Sequence, residues 1–385
     1  MQLSKKPEIS IVLPCLNEEL SIRACLSEIK ELIHEKALDA EIIVVNNGST
    51  DTSLHILEQE RTSFPELKIA AELERGYGNA YLRGFSEATG TYIVMADIDT
   101  TYNFKELDSF IEALRNGSDF VIGNRFTGNI ESKAMPLHHR FIGNPILSFL
   151  VRLFFKTNVQ DVHCGMRAIR RDVIPQLNLK TAGMEFASEM VIKVVQKKLH
   201  ITQLPISYRE RTGTSKLRSF SDGWRHMRFM LLYSPLYLFL LPGIFCFVVG
   251  TLSMLALYFN KLTFLGIQFV VHPIFVSALL TIVGYQLITF AGFAKAYAVS
   301  HLGEENVFLK KAFHWFSIER ASIIGIISII LGITLYVIIL NRWIASGFGS
   351  LNEIKNAVLG MTLAVLGVQT ISSAFMISIL GIKEH

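Results

Sequence analysis

Four stretches without a single charged side chain constrain this chain more than any other feature. They run between Arg228 and Lys261, Lys261 and Lys295, Arg320 and Arg342, and Lys355 and Lys383. Each exceeds the roughly 20 residues that a helix needs to cross a bilayer. We expect four membrane-spanning helices near residues 231–259, 272–298, 321–341 and 356–380. Pro235 and Pro242 should bend or delay the first, and Pro273 suits the start of the second. Four such runs close together argue against buried helices of a soluble core.

Charge divides the chain at the same place. From Leu231 to His385, 13 of 155 residues are Asp, Glu, Lys or Arg, against 57 of the first 230. The latter share, about 25%, is ordinary for a soluble domain. A soluble module is therefore joined to a part built for lipid. This excludes both a purely cytosolic protein and a carrier embedded throughout. The first 230 residues carry 29 basic and 28 acidic groups, so no broad basic field invites nucleic acid. The excess is local. Arg209, Arg211, Lys216, Arg218, Arg225 and Arg228 face only Glu210 and Asp222, as in a juxtamembrane collar drawn to anionic headgroups. Within it, Gly223-Trp224-Arg225-His226-Met227-Arg228-Phe229 has the aromatic and basic mix of an interfacial helix. With four spans, the collar, Lys310, Lys311, Arg320 and Lys383 share one side, and Lys261, Arg342 and Lys355 the other. The positive-inside rule then predicts a multi-pass protein of the plasma (inner) membrane with its soluble module in the cytoplasm. Residues 9–13 are too short for a signal-peptide core. Cys15, Cys25, Cys164 and Cys246 have no C-x-x-C spacing, which argues against a disulfide framework or zinc site.

The soluble part alternates two signals. Residues 9–13, 41–45, 92–96 and 119–123 are short apolar runs suited to buried parallel strands. Helical patterns lie between them at 18–36, 52–61, 79–88 and 104–115. This is βαβ repetition, hence an α/β sheet with helices on both faces. Ligands bind such sheets beyond the carboxyl ends of the strands, where the unusual residues collect. These are Pro14-Cys15-Leu16-Asn17-Glu18-Glu19, Asn46-Asn47-Gly48-Ser49-Thr50-Asp51, Asp97-Ile98-Asp99 and Gly123-Asn124-Arg125. Each alone reads as turn and cap chemistry; together they read as one site.

Those motifs resemble the donor site of family 2 glycosyltransferases with the GT-A (Rossmann-like) fold. With the membrane tail, the chain resembles the polyprenyl-phosphate group of that family, to which dolichol-phosphate mannose synthase belongs. The resemblance implies a GT-A domain over 1–208, a lid loop and juxtamembrane segment over 209–230, and a membrane domain over 231–385. It implies sugar transfer from a nucleotide sugar to undecaprenyl or dolichyl phosphate for cell-envelope glycans, with inversion, and frequent homo-oligomers. Asp97 and Asp99 would hold Mg²⁺ or Mn²⁺ against the donor diphosphate, Asp99 most directly. Pro14, Asn17, Glu18, Asn46, Gly48, Ser49 and Asp51 would line the donor. Gly76-Tyr77-Gly78-Asn79 opens a helix, where glycines let backbone approach a ligand and a helix start favours anions.

The acceptor side calls for cations. A lipid phosphate is already an oxyanion near neutral pH, so it needs no catalytic base. The resemblance assigns its binding to Arg125, with Arg140 and then His139 in support. Asp161-Val162-His163-Cys164-Gly165-Met166-Arg167 looks like the family's turn at the site floor. Glu189, four residues after Glu185 on one helix face, resembles the acid that faces the sugar. Arg209-Glu210-Arg211-Thr212-Gly213-Thr214-Ser215-Lys216 looks like the family's Arg-x-x-Gly-x-Ser-Lys lid over the diphosphate. The arginine is one residue out of register, so Arg209 and Arg211 both remain candidates beside Lys216.

Asn46 stands where the family usually has Asp. An amide accepts one hydrogen bond and donates another, which suits uracil or cytosine, and we expect a pyrimidine donor. A processive polysaccharide synthase of the same fold would carry Gln-x-x-Arg-Trp; before Arg342-Trp343 stands Ile339 instead. A flippase or scaffold with an inactive transferase domain is a further alternative, opposed by the retained Asp97, Asp99, Arg125 and Glu189.

Overall fold

The computed structural model describes residues 6–213, 219–259, 262–264, 267–269, 272–301 and 318–380. The chain divides into two compact units, Met1–Met230 and Leu231–His385.

The apolar runs of the first unit form the heart of a seven-stranded sheet. Its strands are β1 (Ile9–Cys15), β2 (Ala40–Asn46), β3 (Leu67–Ala71), β4 (Tyr92–Met95), β5 (Phe120–Ile130), β6 (Arg167–Arg170) and β7 (Ile201–Tyr208), in the order β3-β2-β1-β4-β6-β5-β7. β1 to β4 pair in parallel, with α1 (Ile22–Glu35), α2 (Ser53–Ser63) and α3 (Tyr77–Glu87) as their crossovers. Ile11, Val12 and Leu13 of β1 and Ile42, Ile43 and Val44 of β2 are wholly buried, because helices cover both faces of these central strands. α4 (Leu107–Arg115) buries Phe110, Ile111 and Leu114.

The four strands read from the sequence all run in one direction, and an unread strand, β6, lies antiparallel between β4 and β5. Its residues, Arg167-Ala168-Ile169-Arg170, hold too few apolar side chains in a row to be read as a buried strand. Arg167 fixes it: the buried guanidinium donates to the carbonyls of Val162, Cys164 and Ala187. β3 escapes sequence reading for a related reason. It lies at the sheet edge and exposes Lys68 and Ala71. Glu41 stitches this edge, accepting from Ser10 Oγ on β1, Thr89 before β4 and Lys68 on β3.

The remaining helices of this unit are α5 (Asn144–Phe155), α6 (Ile174–Leu177), α7 (Phe186–Gln196) and α8 (Ser219–Tyr233). α7 is packed into the core, whereas α5 points large apolar groups outward. Ile146, Phe149 and Leu153 are exposed, as are Leu137, Phe141 and Ile142 just before it, while Ser148 and Val151 are buried. α8 exposes Phe220 and Trp224 and buries His226, Phe229 and Met230.

The second unit contains α9 (Leu241–Phe259), α10 (Pro273–His301), α11 (Ile318–Ala345) and α12 (Ile354–Leu380). All four are long and apolar enough to cross a membrane, the first span being counted from Leu236. Pro235 precedes a π-helical turn at Leu236–Leu240, and Pro273 opens α10. Small residues let these helices touch. A Cβ on Gly250 would meet Thr281 N at 2.5 Å, and one on Gly367 would meet Gly325 O at 2.5 Å. Such contacts replace the hydrophobic drive that lipid-soluble helices lack. Lys261, Lys310, Lys311 and Lys383, on which the expected orientation partly depends, lie outside the described residues.

Candidate active site

The loops after β1 and β2 are sewn together at the sheet edge. Asn17, at φ 52°, receives Thr50 N–H on its Oδ1 at 2.7 Å and donates its own N–H to Ser49 Oγ at 3.0 Å. Glu18 N donates to Ser53 Oγ, and Glu19 takes both the N–H and hydroxyl of Thr52. Asp51 accepts from the backbone of Ser53 and Glu19. Burial works against its ionisation, but these bonds prevail and hold its carboxyl below the ordinary value. Pro14 is tolerated because β1 pairs with β4 only as far as Val12, so no ladder bond to β4 needs its missing N–H. Asn46 Oδ1 accepts Ser49 N–H at 3.0 Å. Its side-chain carbonyl thus closes the turn.

Asp97 and Asp99 follow β4. Burial, then the charge of Asp99, pushes the Asp97 carboxyl up to about 7, against the pull of Arg211. Tyr81 Oη donates to Asp97 Oδ1 at 3.4 Å. Asp99 is buried; its Oδ1 accepts from Thr101 N–H and Oγ1, and its Oδ2 lies 3.0 Å from Arg211 Nη1. Arg211 also binds Glu18. This separates the two candidate arginines, since Arg209 pairs instead with Glu28 at 2.6 Å. Lys216 lies outside the described residues. Among the described residues no group of three or more His, Cys, Asp or Glu could hold a metal unaided. Two neighbouring carboxylates of hard oxygen nevertheless suit Mg²⁺ or Mn²⁺ once phosphate oxygens complete the shell.

Two expectations need correction. At the glycines 76 and 78 the close approach is made by protein backbone. A Cβ on Gly76 would fall 2.2 Å from Ala182 O, and one on Gly78 2.0 Å from Thr181 O. The start of α3 is correspondingly occupied, because Gly78 N and Asn79 N donate to Ala182 O. Asn79 turns its amide to Glu74 O at 3.3 Å and lines a surface hollow of about 510 Å³ with Glu72 and Glu74. Glu189 does not present a carboxylate to a sugar. It is fully buried and accepts from Lys180 N, Thr181 N and Thr181 Oγ1. Glu189 holds the 180–182 segment, which in turn holds Gly76 and Gly78.

Arg125 is buried against Asp161 in a two-pronged pair, Nε to Oδ2 at 2.7 Å and Nη2 to Oδ1 at 2.8 Å. Its guanidinium lies 5.1 Å from the Tyr208 ring centre. Nη1 is the prong that Asp161 does not take. His139 and Arg140 stand at a π-helical turn, His139–Gly143, that leads into α5. Burial, then His138 and Arg125, lowers the pKa of His139 against the pull of Asp222. Sequence reading missed the tyrosines. Tyr102 Oη accepts Gly165 N–H at 2.7 Å, and its ring meets that of Tyr208 edge-on. Isolated tyrosines carry no spacing signal. Asn47 was also missed as a tie: it donates to Glu72 O and Glu74 O and accepts Gly76 N–H.

Residues 10–177 match the glycosyl transferase family 2 model, and residues 292–381 match the glycosyltransferase family 2 C-terminal transmembrane region. The low-salt glycan biosynthesis hexosyltransferase Agl6 of Haloferax volcanii is 35% identical over 97% of this chain and 89% of its own length. The chain belongs to glycosyl transferase family 2. The dolichol-phosphate mannosyltransferase of Pyrococcus furiosus is 27% identical to this glycosyltransferase over 55% of the chain, and 59% of that protein is covered. A dolichyl-phosphate hexose transferase of Haloferax volcanii is 28% identical over 56% of the chain and 89% of its own length. The glycosyltransferase thus joins a GT-A sheet to a membrane region of four apolar helices.

Proposed function

We propose that this glycosyltransferase moves a sugar from a nucleotide sugar to a membrane polyprenyl phosphate. The observation that carries the acceptor assignment is the segment 137–153. His139 and Arg140 stand near its start, and its exposed large apolar side chains are Leu137, Phe141 and Ile142 before α5 and Ile146, Phe149 and Leu153 on it. The Arg140 cation and the His139 imidazole at the head of an outward apolar stripe fit a phosphate carried on a lipid. Relatives whose names specify dolichol-phosphate chemistry support the same class.

In this reading an oxygen of the lipid phosphate attacks the anomeric carbon, and the bond to the nucleoside diphosphate breaks with the electron pair leaving on the diphosphate. A single displacement inverts the configuration. No protein base is required, which agrees with the burial of Glu189. Arg125, through Nη1, and Arg140 offset the repulsion between two anions, and the neutral His139 ring can add a hydrogen bond. A divalent cation bound by Asp97 and Asp99 would neutralise the charge that develops on the leaving group. Asn46 offers its amide N–H₂ to a base carbonyl such as uracil O4, and UDP-sugars are the donors expected first. The excess of Lys and Arg in the sequence on one side of the spans supports a cytoplasmic catalytic unit.

The test replaces Ile146 and Phe149 by Glu. We expect KM for polyprenyl phosphate to rise about tenfold or more, consistent with roughly 1.5–3 kcal/mol per buried large apolar side chain. KM for the nucleotide sugar should stay unchanged. Equal effects on both substrates would argue for damage to the fold, and no effect on either would refute the lipid assignment of this helix.

A further inference from the structure

Arg211 sits where the chemistry requires a cation. Its Nη1 is 3.0 Å from Asp99 Oδ2, and its Nη2 donates to Glu18. Its Nε is buried and has no partner. A guanidinium is a fork of five N–H donors, and here one of them is left over in a water-poor place. The contact therefore satisfies charge better than it satisfies hydrogen bonding.

The backbone around Arg211 is tied to the loop that carries Asp99. Arg209 N donates to Thr101 O at 2.8 Å. Thr212 N donates to Thr100 Oγ1 at 3.1 Å, and the two threonine hydroxyls are 2.9 Å apart. These ties flank Arg211 on both sides, so the side chain can change partners while the strap stays attached. Two positive groups cannot share Asp99 cheaply, since like charges at contact repel strongly where water is scarce.

We propose that Arg211 is the resident counter-ion of the Asp97 and Asp99 pair in the donor-free enzyme, and that a divalent cation competes with it for Asp99. This rests on the donor-site reading above and adds a control to it. Metal alone binds weakly. A nucleotide diphosphate offers Arg211 the acceptors that its resting position lacks, so donor and metal enter together. Arg211 thereby offsets part of the negative charge of the empty site and discourages metal binding without a substrate.

Mn²⁺ binding to the full-length protein in lipid nanodiscs, followed through the paramagnetic signal of free Mn²⁺, tests this without any turnover. Without nucleotide, Arg211→Gln should bind Mn²⁺ about tenfold more tightly than the parent protein, the effect of losing one charge-assisted contact. Arg211→Lys, which keeps the charge, should stay near the parent. Adding UDP or GDP should narrow the gap. Mn²⁺ alone should raise the Tm of Arg211→Gln more than that of the parent, which also establishes that the variant is folded. Thr100→Ala, which cuts the hydroxyl tie, should shift Mn²⁺ affinity in the same direction by less. Unchanged or weaker nucleotide-free affinity in Arg211→Gln would overturn the exchange while leaving the metal site intact, provided the parent binds Mn²⁺ with nucleotide. Absence of Mn²⁺ binding in every protein, with UDP or GDP present, would remove both the metal site and the exchange.

Discussion

Single residues here separate chemistry from support. Asp99 faces a cation, whereas Glu189 faces backbone N–H groups. We predict that Asp99→Asn lowers kcat/KM by about 10²–10³, the range for removing one preorganised electrostatic partner, with little change in Tm. Glu189→Gln should instead lower stability by roughly 1.5–3 kcal/mol, since a charged acceptor of several hydrogen bonds is lost. A calorimetric scan distinguishes the two. If Glu189→Gln kept the parent Tm and lost only turnover, Glu189 would be a group that meets substrate. The place of Asp97 and Asp99 just after β4 was legible because an apolar run in a βαβ pattern precedes them. The partner of Glu189 was not, because local sequence does not say which backbone will pack behind α7. The glycines at 76 and 78 show the same limit. Their type announced a close approach, but the neighbour is Thr181 and Ala182, about a hundred residues along the chain.

Elements are joined by buried polar links, and one of them is sensitive to acid. Ser188 Oγ on α7 bridges His226 Nδ1 on α8, at 2.8 Å, and His163 Nε2 in the floor turn, at 3.2 Å. Burial pushes the His226 imidazole down to about 4, with Asp222 opposing and Arg167 assisting. Burial likewise lowers His163, aided by His226, Arg125 and Arg167. Both rings are neutral when folded. The unfolded chain takes up protons first as pH falls below about 6.5, so stability is full above that value and declines from about 6.5 down through about 4. Thermal unfolding of the full-length protein across this window should show the decline, and His226→Gln should flatten it. A flat profile in the parent would contradict a neutral buried pair. Ser188→Ala should cost about 1–3 kcal/mol, the penalty for stranding buried partners. Strand legibility follows length and neighbours. β1 and β2 are buried on both faces and read as apolar runs, whereas β6 is held by the contacts of Arg167 and carries little pattern of its own.

At the scale of the whole molecule, the division of charge already announced two solvents. The four apolar helices were legible because twenty uncharged residues have few other stable uses. The outward stripe of α5 was not read, since its apolar positions look like core until the structure leaves Ile146 and Phe149 uncovered. These scales meet in one event, the encounter of a water-soluble donor with a lipid-borne phosphate. The most direct measurement incubates the full-length protein in nanodiscs with a polyprenyl phosphate and a panel of UDP-, CDP- and GDP-sugars. The lipid fraction is then examined by mass spectrometry. The account predicts a polyprenyl phosphate heavier by one sugar, formed with release of one nucleoside diphosphate and lost in Asp99→Asn. A lengthening polysaccharide, or no lipid-linked sugar with any donor while soluble acceptors are glycosylated, would contradict it.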